Sequence, residues 1–424
     1  MRAGERRRVN GTMRLLDRAL AGRELSVDEV AQLLDFPARD LPVLYEAAAW
    51  LREVGHGRVI TFSPKVFIPL TRLCRDRCGY CAFRVEPGEA GVPEPYMGLE
   101  EALQVARAGA RLGCTEALFT LGERPEQRYP EAVGWLRRRG FRSTPDYLYH
   151  VAGRVLEQTG LLPHVNAGIL SSSEMGRLRE VSASMGLMLE SSSPSLSQPG
   201  GPHHLAPSKR PAARLRTIDR AGRLRIPFTT GILVGIGETR EERARDLLAI
   251  RELHRRHGHI QEVIVQNFQP KPGTPMATSP PPSLDEIMRT VSVARIVLGR
   301  SANLQVPPNL NPRCYPLLLS AGINDWGGVS PLTPDYVNPE APWPALLELK
   351  RATEAEGFEL RPRLCVYAEF LRGEGRQRWL ADSVRPYVDR LADREGYVRW
   401  GMQAYERRGD EPVAAGESRS FAGG

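Results

Sequence analysis

The run Val66-Phe67-Ile68-Pro69-Leu70-Thr71-Arg72-Leu73-Cys74-Arg75-Asp76-Arg77-Cys78-Gly79-Tyr80-Cys81-Ala82-Phe83 carries an apolar strand candidate, residues 66–70, directly into three cysteines spaced C-x3-C-x2-C. Three thiolates so close together on a loop leaving a strand can wrap a compact metal centre. Cysteine thiolates are the ligands of iron–sulfur clusters, four of them for a fully ligated cubane. Three leave one iron without a protein ligand, and an open coordination position is what catalytic metal sites keep for a small molecule. Gly79 permits a tight turn between the second and third cysteines, and Arg72, Arg75 and Arg77 offset negative charge. Structural zinc takes four ligands. None completes the set at finger spacing, since Cys114 is 33 residues beyond Cys81 and His56 is 18 before Cys74.

Outward from this segment the sequence beats strand then helix. Strand candidates at 66–70, 116–121, 163–166, 186–190, 228–234, 263–268, 303–306 and 323–326 alternate with helical patterns at 99–111, 130–139, 147–159, 173–180, 211–221, 241–257 and 284–298. Repeated β-α units imply parallel strands covered by helices. Eight strands in series predict an α/β barrel, complete or partly open, with a doubly wound sheet as the rival. Chemically unusual residues gather at the strand ends. That favours the barrel, whose active loops converge on one face. Residues 1–59 read as an N-terminal helical extension, disordered to about residue 12 and with a helix start at Ser26. Residues 60–335 read as the barrel, 336–407 as a C-terminal helical region and 408–424 as a flexible tail.

The 424 residues include 58 basic and 50 acidic ones, a net charge of +8. Without a clustered patch this excess is no nucleic-acid signature. The arginine-rich N-terminus lacks the apolar stretch of a secretory signal. No run of eighteen apolar residues occurs, so no membrane span is expected. Six cysteines in a chain this long do not make a disulfide scaffold. A reducing cytoplasm is the expected setting. Cys114, Cys314 and Cys365 are widely spaced and read as buried apolar residues.

Other strand ends carry candidates. Glu190 closes an apolar run and points toward a barrel mouth. Gly235 and Gly237 follow a buried strand, but Arg240 stands where a dinucleotide fingerprint needs its third glycine. Gln266 and Asn267 leave a strand into a proline-restrained loop. His203 and His204 sit in a glycine-rich loop, suited to substrate contact or proton transfer, or merely exposed. Asp325 is a candidate substrate anchor or proton acceptor.

Cys74, Cys78, Tyr80 and Cys81 match the C-x3-C-x-aromatic-C signature, and on these residues the chain resembles the radical S-adenosylmethionine (radical SAM) superfamily. The resemblance implies a radical SAM (β/α) barrel, TIM-like, with flanking helices. It implies a [4Fe-4S] cluster on the three cysteines, S-adenosyl-L-methionine chelated to the fourth iron, and Tyr80 near the adenine. Gly122 and Glu123 resemble the element that contacts the methionine amino group. Glu190 would meet ribose hydroxyls or substrate. The segment Gly231 to Glu238, with Leu233 in place of the usual isoleucine, resembles the element bordering the adenosine, where Gly235 and Gly237 are the residues of interest.

The resemblance narrows over residues 60–335. Phe228-Thr229-Thr230-Gly231-Ile232-Leu233-Val234-Gly235-Ile236-Gly237-Glu238 and Met185-Gly186-Leu187-Met188-Leu189-Glu190 look like the 7,8-didemethyl-8-hydroxy-5-deazariboflavin synthase family, CofG-type. This implies a lyase of coenzyme F420 biosynthesis. Its substrate is an adduct of a hydroxybenzyl group with a ribityl-bearing pyrimidine, closed to the deazaflavin F0 with release of ammonia. One three-cysteine motif supplies one half of the pathway step, so a CofH-type partner enzyme and a reducing electron donor are expected. Asn166, Ser191, Ser192, Gln266, Asn267 and Asp325 offer hydroxyl and amide partners for such a substrate. A related enzyme acting on another adduct, CofH-like or a menaquinone-pathway cyclase, is the first alternative. A non-catalytic metal-binding module is the second.

Overall fold

In the computed structural model the described residues are 3–89 and 94–409. Helices α1 (Ala3–Leu20), α2 (Val27–Leu34) and α3 (Leu41–His56) precede the first strand, β1 (Val59–Phe67). Then follow α4 (Leu99–Arg111), β2 (Glu116–Thr120), α5 (Pro130–Arg138), α6 (Thr144–Thr159), β3 (Leu162–Asn166), α7 (Ser172–Arg179), β4 (Ser184–Gly186) and α8 (Pro211–Arg223). The next elements are β5 (Phe228–Val234), α9 (Arg240–His257), β6 (Ile260–Asn267), α10 (Leu284–Leu298), β7 (Leu304–Gln305) and β8 (Asp325–Val329). The chain continues with α11 (Leu346–Ala355), β9 (Glu359–Pro362), α12 (Gly375–Trp379), α13 (Arg385–Leu391) and α14 (Gln403–Gly409).

Strands β1 to β8 each pair in parallel with the next, and β8 pairs back onto β1, so the ring closes. The barrel is complete rather than partly open. Helices cover its outside, which buries the strands on both faces and explains their near-continuous apolar reading. Every residue of β5 is buried, for example. The starts are set locally. Ser26 and Glu29 close a capping box on α2, and Thr239 and Glu242 do the same on α9. Helices α2 and α3 then pack outside α9 and α10.

Three expectations need correction. Helix α1 begins at Ala3 rather than after a disordered stretch; its arginines and the run Met13 to Leu20 supply good helix formers. Strand β1 starts at Val59, seven residues before the expected apolar run, because Ser63 and Lys65 on it alternate inward and broke the apolar pattern. Pro64 sits beside a register shift in the β1–β8 ladder, where a strand accommodates proline. The C-terminal region is not only helical. Its strand β9 pairs in parallel with residues 59–62 of β1. Since β8 takes one edge of β1, β9 and β2 share the other, β9 along the first half and β2 along residues 65–67. The ninth strand therefore completes the barrel wall below β2. The expected tail, 408–424, lies almost wholly outside the described residues.

No helix among the described residues is long and apolar enough to cross a membrane.

Candidate active site at the barrel mouth

Cys74, Cys78 and Cys81 lie on the irregular loop between β1 and α4 and line one cavity of about 330 Å³ that enters the barrel. The loop is pinned on two sides. The Arg75 amide donates to the Glu123 carbonyl at 2.9 Å, and the Gly122 amide donates to the Thr71 carbonyl at 2.7 Å. The Glu123 amide donates to Cys74 Sγ at 3.2 Å. A Cβ at position 122 would overlap the Leu73 carbonyl, so glycine there lets the β2 exit and the cysteine loop touch. On the other side the amides of Arg77 and Gly79 donate to Leu205 and Pro202 carbonyls at 2.9 and 2.7 Å. The glycine-rich loop after β4 thus covers the cysteine loop. Burial raises the Cys74 thiol to about 12. The three cysteines share the cavity wall, although no group of His, Cys, Asp or Glu among the described residues is already drawn together as a metal-binding set.

Tyr80 lines the same cavity, and its hydroxyl lies 3.0 Å from His203 Nε2. Burial depresses His203 to about 3, so its ring is neutral. Burial also raises Tyr80 well above its ordinary value. The Tyr80 hydroxyl and the neutral ring therefore share one hydrogen bond, whose direction is set by the His203 tautomer. His204 has no such contact and is exposed.

Glu123 is buried, with Oε1 2.8 Å from Arg75 Nη2. Burial and the nearby Asp76 carboxylate nevertheless raise its pKa. Glu190 takes a left-handed backbone, φ +64°, uncommon for a residue with a side chain. That conformation ends the strand direction at β4 and turns the carboxylate into the cavity, where it pairs with Lys209. Burial pulls the Glu190 pKa up, but Lys209 and Arg214 outweigh it and hold the group below its ordinary value. Asn166, Gln266 and Asn267, at the ends of β3 and β6, also line the cavity. Asn267 is held in place by Leu310 and Asn311: its Nδ2 donates to the Leu310 carbonyl at 3.3 Å, and its Oδ1 accepts from Asn311 Nδ2 at 3.0 Å.

Five expected site residues lie off the cavity wall. Beyond Glu190 the chain turns toward α9, so the Ser192 amide donates to Asp246 and Ser191 Oγ accepts from the Ser193 amide at 3.1 Å. Gly235 and Gly237 adopt φ of +96° and +109°, and their turn is locked from behind. Glu238 accepts from the Gly235 and Ile236 amides at 2.9 Å each and pairs with Arg243 at 2.7 Å. Asp325 begins β8 at the opposite end of the barrel from the cysteines. It is fully buried, and Arg363 grips it through Nε at 2.6 Å and Nη2 at 2.9 Å.

The sequence reading missed the cavity's lower wall. Lys65, Glu116, His164, Thr229, Glu262, Gln305 and Arg363 all line it. A signal was present: most barrel strands carry one charged or polar residue at an inward position amid apolar neighbours, a pattern of period 2.

With this fold and this cysteine loop, the chain belongs to the radical SAM superfamily, whose family model matches residues 68–250. Within it the chain is closely related to the FO synthases. It is 51% identical over 341 residues to the 7,8-didemethyl-8-hydroxy-5-deazariboflavin synthase of Methanopyrus kandleri, covering 80% of this chain and all of that one. It is 51% identical over 396 residues to the FO synthase of Streptomyces coelicolor, covering 91% of this chain and 45% of that one. The chain therefore spans just under half the length of that relative. Among solved structures, the FeFe-hydrogenase maturase HydG from Carboxydothermus hydrogenoformans matches with a TM-score of 0.67 and 20% identity, over 97% of this chain and 93% of that one. That likeness concerns the fold.

Proposed function

We propose that this chain is the radical SAM enzyme that closes the deazaflavin ring of F0. It would act on the adduct of a hydroxybenzyl group with 5-amino-6-(D-ribitylamino)uracil, with loss of ammonia. One observation carries the reading: three loop cysteines share a single barrel cavity with strand-end carboxylates and amides, in a chain half identical to FO synthases.

The residues fit a cluster held at three corners. Cys74, Cys78 and Cys81 come from one loop, whereas Cys114 lies buried against the Lys65 carbonyl and Cys365 follows Arg363 at the barrel base. Bound there, a [4Fe-4S] cluster with S-adenosylmethionine would supply a carbon radical able to take a hydrogen atom from the substrate. The chain's own residues position and shield. Glu123 would meet the methionine ammonium, and Glu190, held ionised, the ribose hydroxyls. Tyr80, braced by His203, would flank the adenine, with the Gly235–Gly237 turn bordering it. Asn166, Gln266 and Asn267 would hold the polar edge of the pyrimidine. Phe67, Phe83 and Phe268 on the wall would exclude water. Ser191 and Ser192 would act indirectly, by fixing the turn that presents Glu190, and Asp325 by fixing Arg363. A CofH-type partner would supply the adduct and a low-potential donor the electron.

The test is to feed the partner's product to the anaerobically reconstituted chain with a reductant. Deazaflavin fluorescence should appear, and Cys78→Ala should abolish both it and 5′-deoxyadenosine. Deoxyadenosine without any deazaflavin would leave a radical SAM enzyme with a different substrate.

A further inference from the structure

The lower half of the cavity is built of charged and polar side chains that the cluster and the nucleotide do not account for. Lys65, third from the C-terminal end of β1, is only 8% exposed. Its Nζ has no hydrogen bond or ion pair among the described residues; it lies 4.7 Å from the centre of the Trp343 ring. Gln305 is 4% exposed and donates through Nε2 to the Trp326 carbonyl at 3.3 Å, but its buried Oε1 has no partner among the described residues. His164 Nδ1 lies 2.7 Å from Ser184 Oγ, while Nε2 sits beside Gly186 without a hydrogen bond among the described residues. All three side chains line the cavity. Buried polar groups are nearly always paired, so an unpartnered Gln305 Oε1 on the same cavity wall as the Lys65 ammonium and the His164 ring marks the place of a ligand's polar atoms.

The chemistry of the set narrows the ligand. Lys65 only donates, Gln305 Oε1 only accepts, and a neutral imidazole nitrogen does either. Burial lowers His164 to about 4, so its ring is uncharged at neutral pH. Beneath them the carboxylates of Glu116, Glu262 and Asp325 outnumber the cations that face them, Arg363 and Lys65 itself. Glu116 accepts from Ser63 and Glu262 accepts from Thr229 at 2.8 Å. This acidic floor repels an anionic ligand end. A hydroxyl both donates and accepts, so a chain of hydroxyls satisfies Lys65, His164 and Gln305 in turn without bringing charge.

We infer that Lys65, His164 and Gln305 form a deep subsite for a neutral polyhydroxylated chain, which places the ribityl arm of the substrate down the barrel and its ring system beneath the cysteines. This assignment rests on the function proposed above. The end of the substrate remote from the reacting carbon thereby anchors it.

The experiment measures binding of two fluorescent probes to the full-length reconstituted chain. One is the deazaflavin F0, and the other is its analogue with a methyl group in place of the ribityl chain. Wild type should bind F0 at least about tenfold more tightly, as expected for several hydrogen bonds to buried partners. Lys65→Met and Gln305→Leu should each shrink that preference at least about threefold while leaving the methyl analogue's affinity in place. Absence of a preference in wild type, or equal weakening of both probes in the variants, overturns the subsite; the wild-type comparison holds even if a variant misfolds. Deazaflavin formation is assayed in parallel. If F0 forms and the preference is absent, only the subsite falls. If no F0 forms from the adduct, the proposed function falls and takes the ribityl assignment with it.

Discussion

The Asp325–Arg363 pair shows how burial reassigns a residue. In sequence, an aspartate at a late barrel strand suggests substrate contact. In the fold it is sealed at the base, accepting from Thr61, from the Gly327 amide at 2.5 Å and twice from Arg363. Removing one partner of a buried pair strands the other's charge, at a cost of about 3–5 kcal/mol. Asp325→Ala is therefore expected to lower stability by that order in urea denaturation. An unchanged midpoint would return Asp325 to consideration as a direct substrate ligand. Glu190 is the opposite case. Its left-handed backbone carries strain of order 1–3 kcal/mol, and the strained turn delivers an ionised carboxylate to the cavity.

Among the elements, β9 has the greatest leverage for its length. Four residues fill the edge of β1 below β2 and bring Arg363 under the carboxylates of β6 and β8. Leu360 is its buried anchor. Leu360→Ala should cost about 2–5 kcal/mol and speed amide exchange across residues 359–363 more than across β2; uniform exchange in both strands would mean that β9 is not a separate wall segment. The strand was not legible in sequence, because Glu359-Leu360-Arg361-Pro362 offers one apolar residue and a proline. By contrast α4, β5 and α10 were legible to the residue, since Leu99, Phe228 and Leu284 open clean periodic runs. The site divides in the same way. Cys74, Cys78, Cys81, Tyr80 and Glu190 could be found because spacing or strand position marks them. Lys65, Gln305 and Arg363 carried only the weaker signal of a polar residue amid apolar neighbours, and their meaning comes from which strands the ring sets face to face.

For the whole molecule, buried histidines set the response to acid. Burial depresses His56 and His164 to about 4, and His203 and His259 to about 3, from an ordinary 6.5. The unfolded chain takes up protons that the fold refuses. Their contribution is fully present above about pH 6.5 and is lost as pH falls toward the folded values. The melting temperature should therefore drop between pH 6.5 and 4. His259 lies outside the cavity lining, so His259→Gln should make that slope shallower by about one proton per molecule. A slope identical to wild type would mean that His259 titrates alike in both states.

The shared edge of β1 also bears on how the chain comes together. The first strand made is the one that three others must find, and two of them, β8 and β9, are synthesised more than 250 residues later. Contact order at that seam is high, and non-local closure of this kind is slow. A nascent chain cannot close its ring until β8 has left the ribosome, nor fill the lower seam until β9 follows, so the acidic floor stays wet through most of translation and is the last part of the lumen to dry.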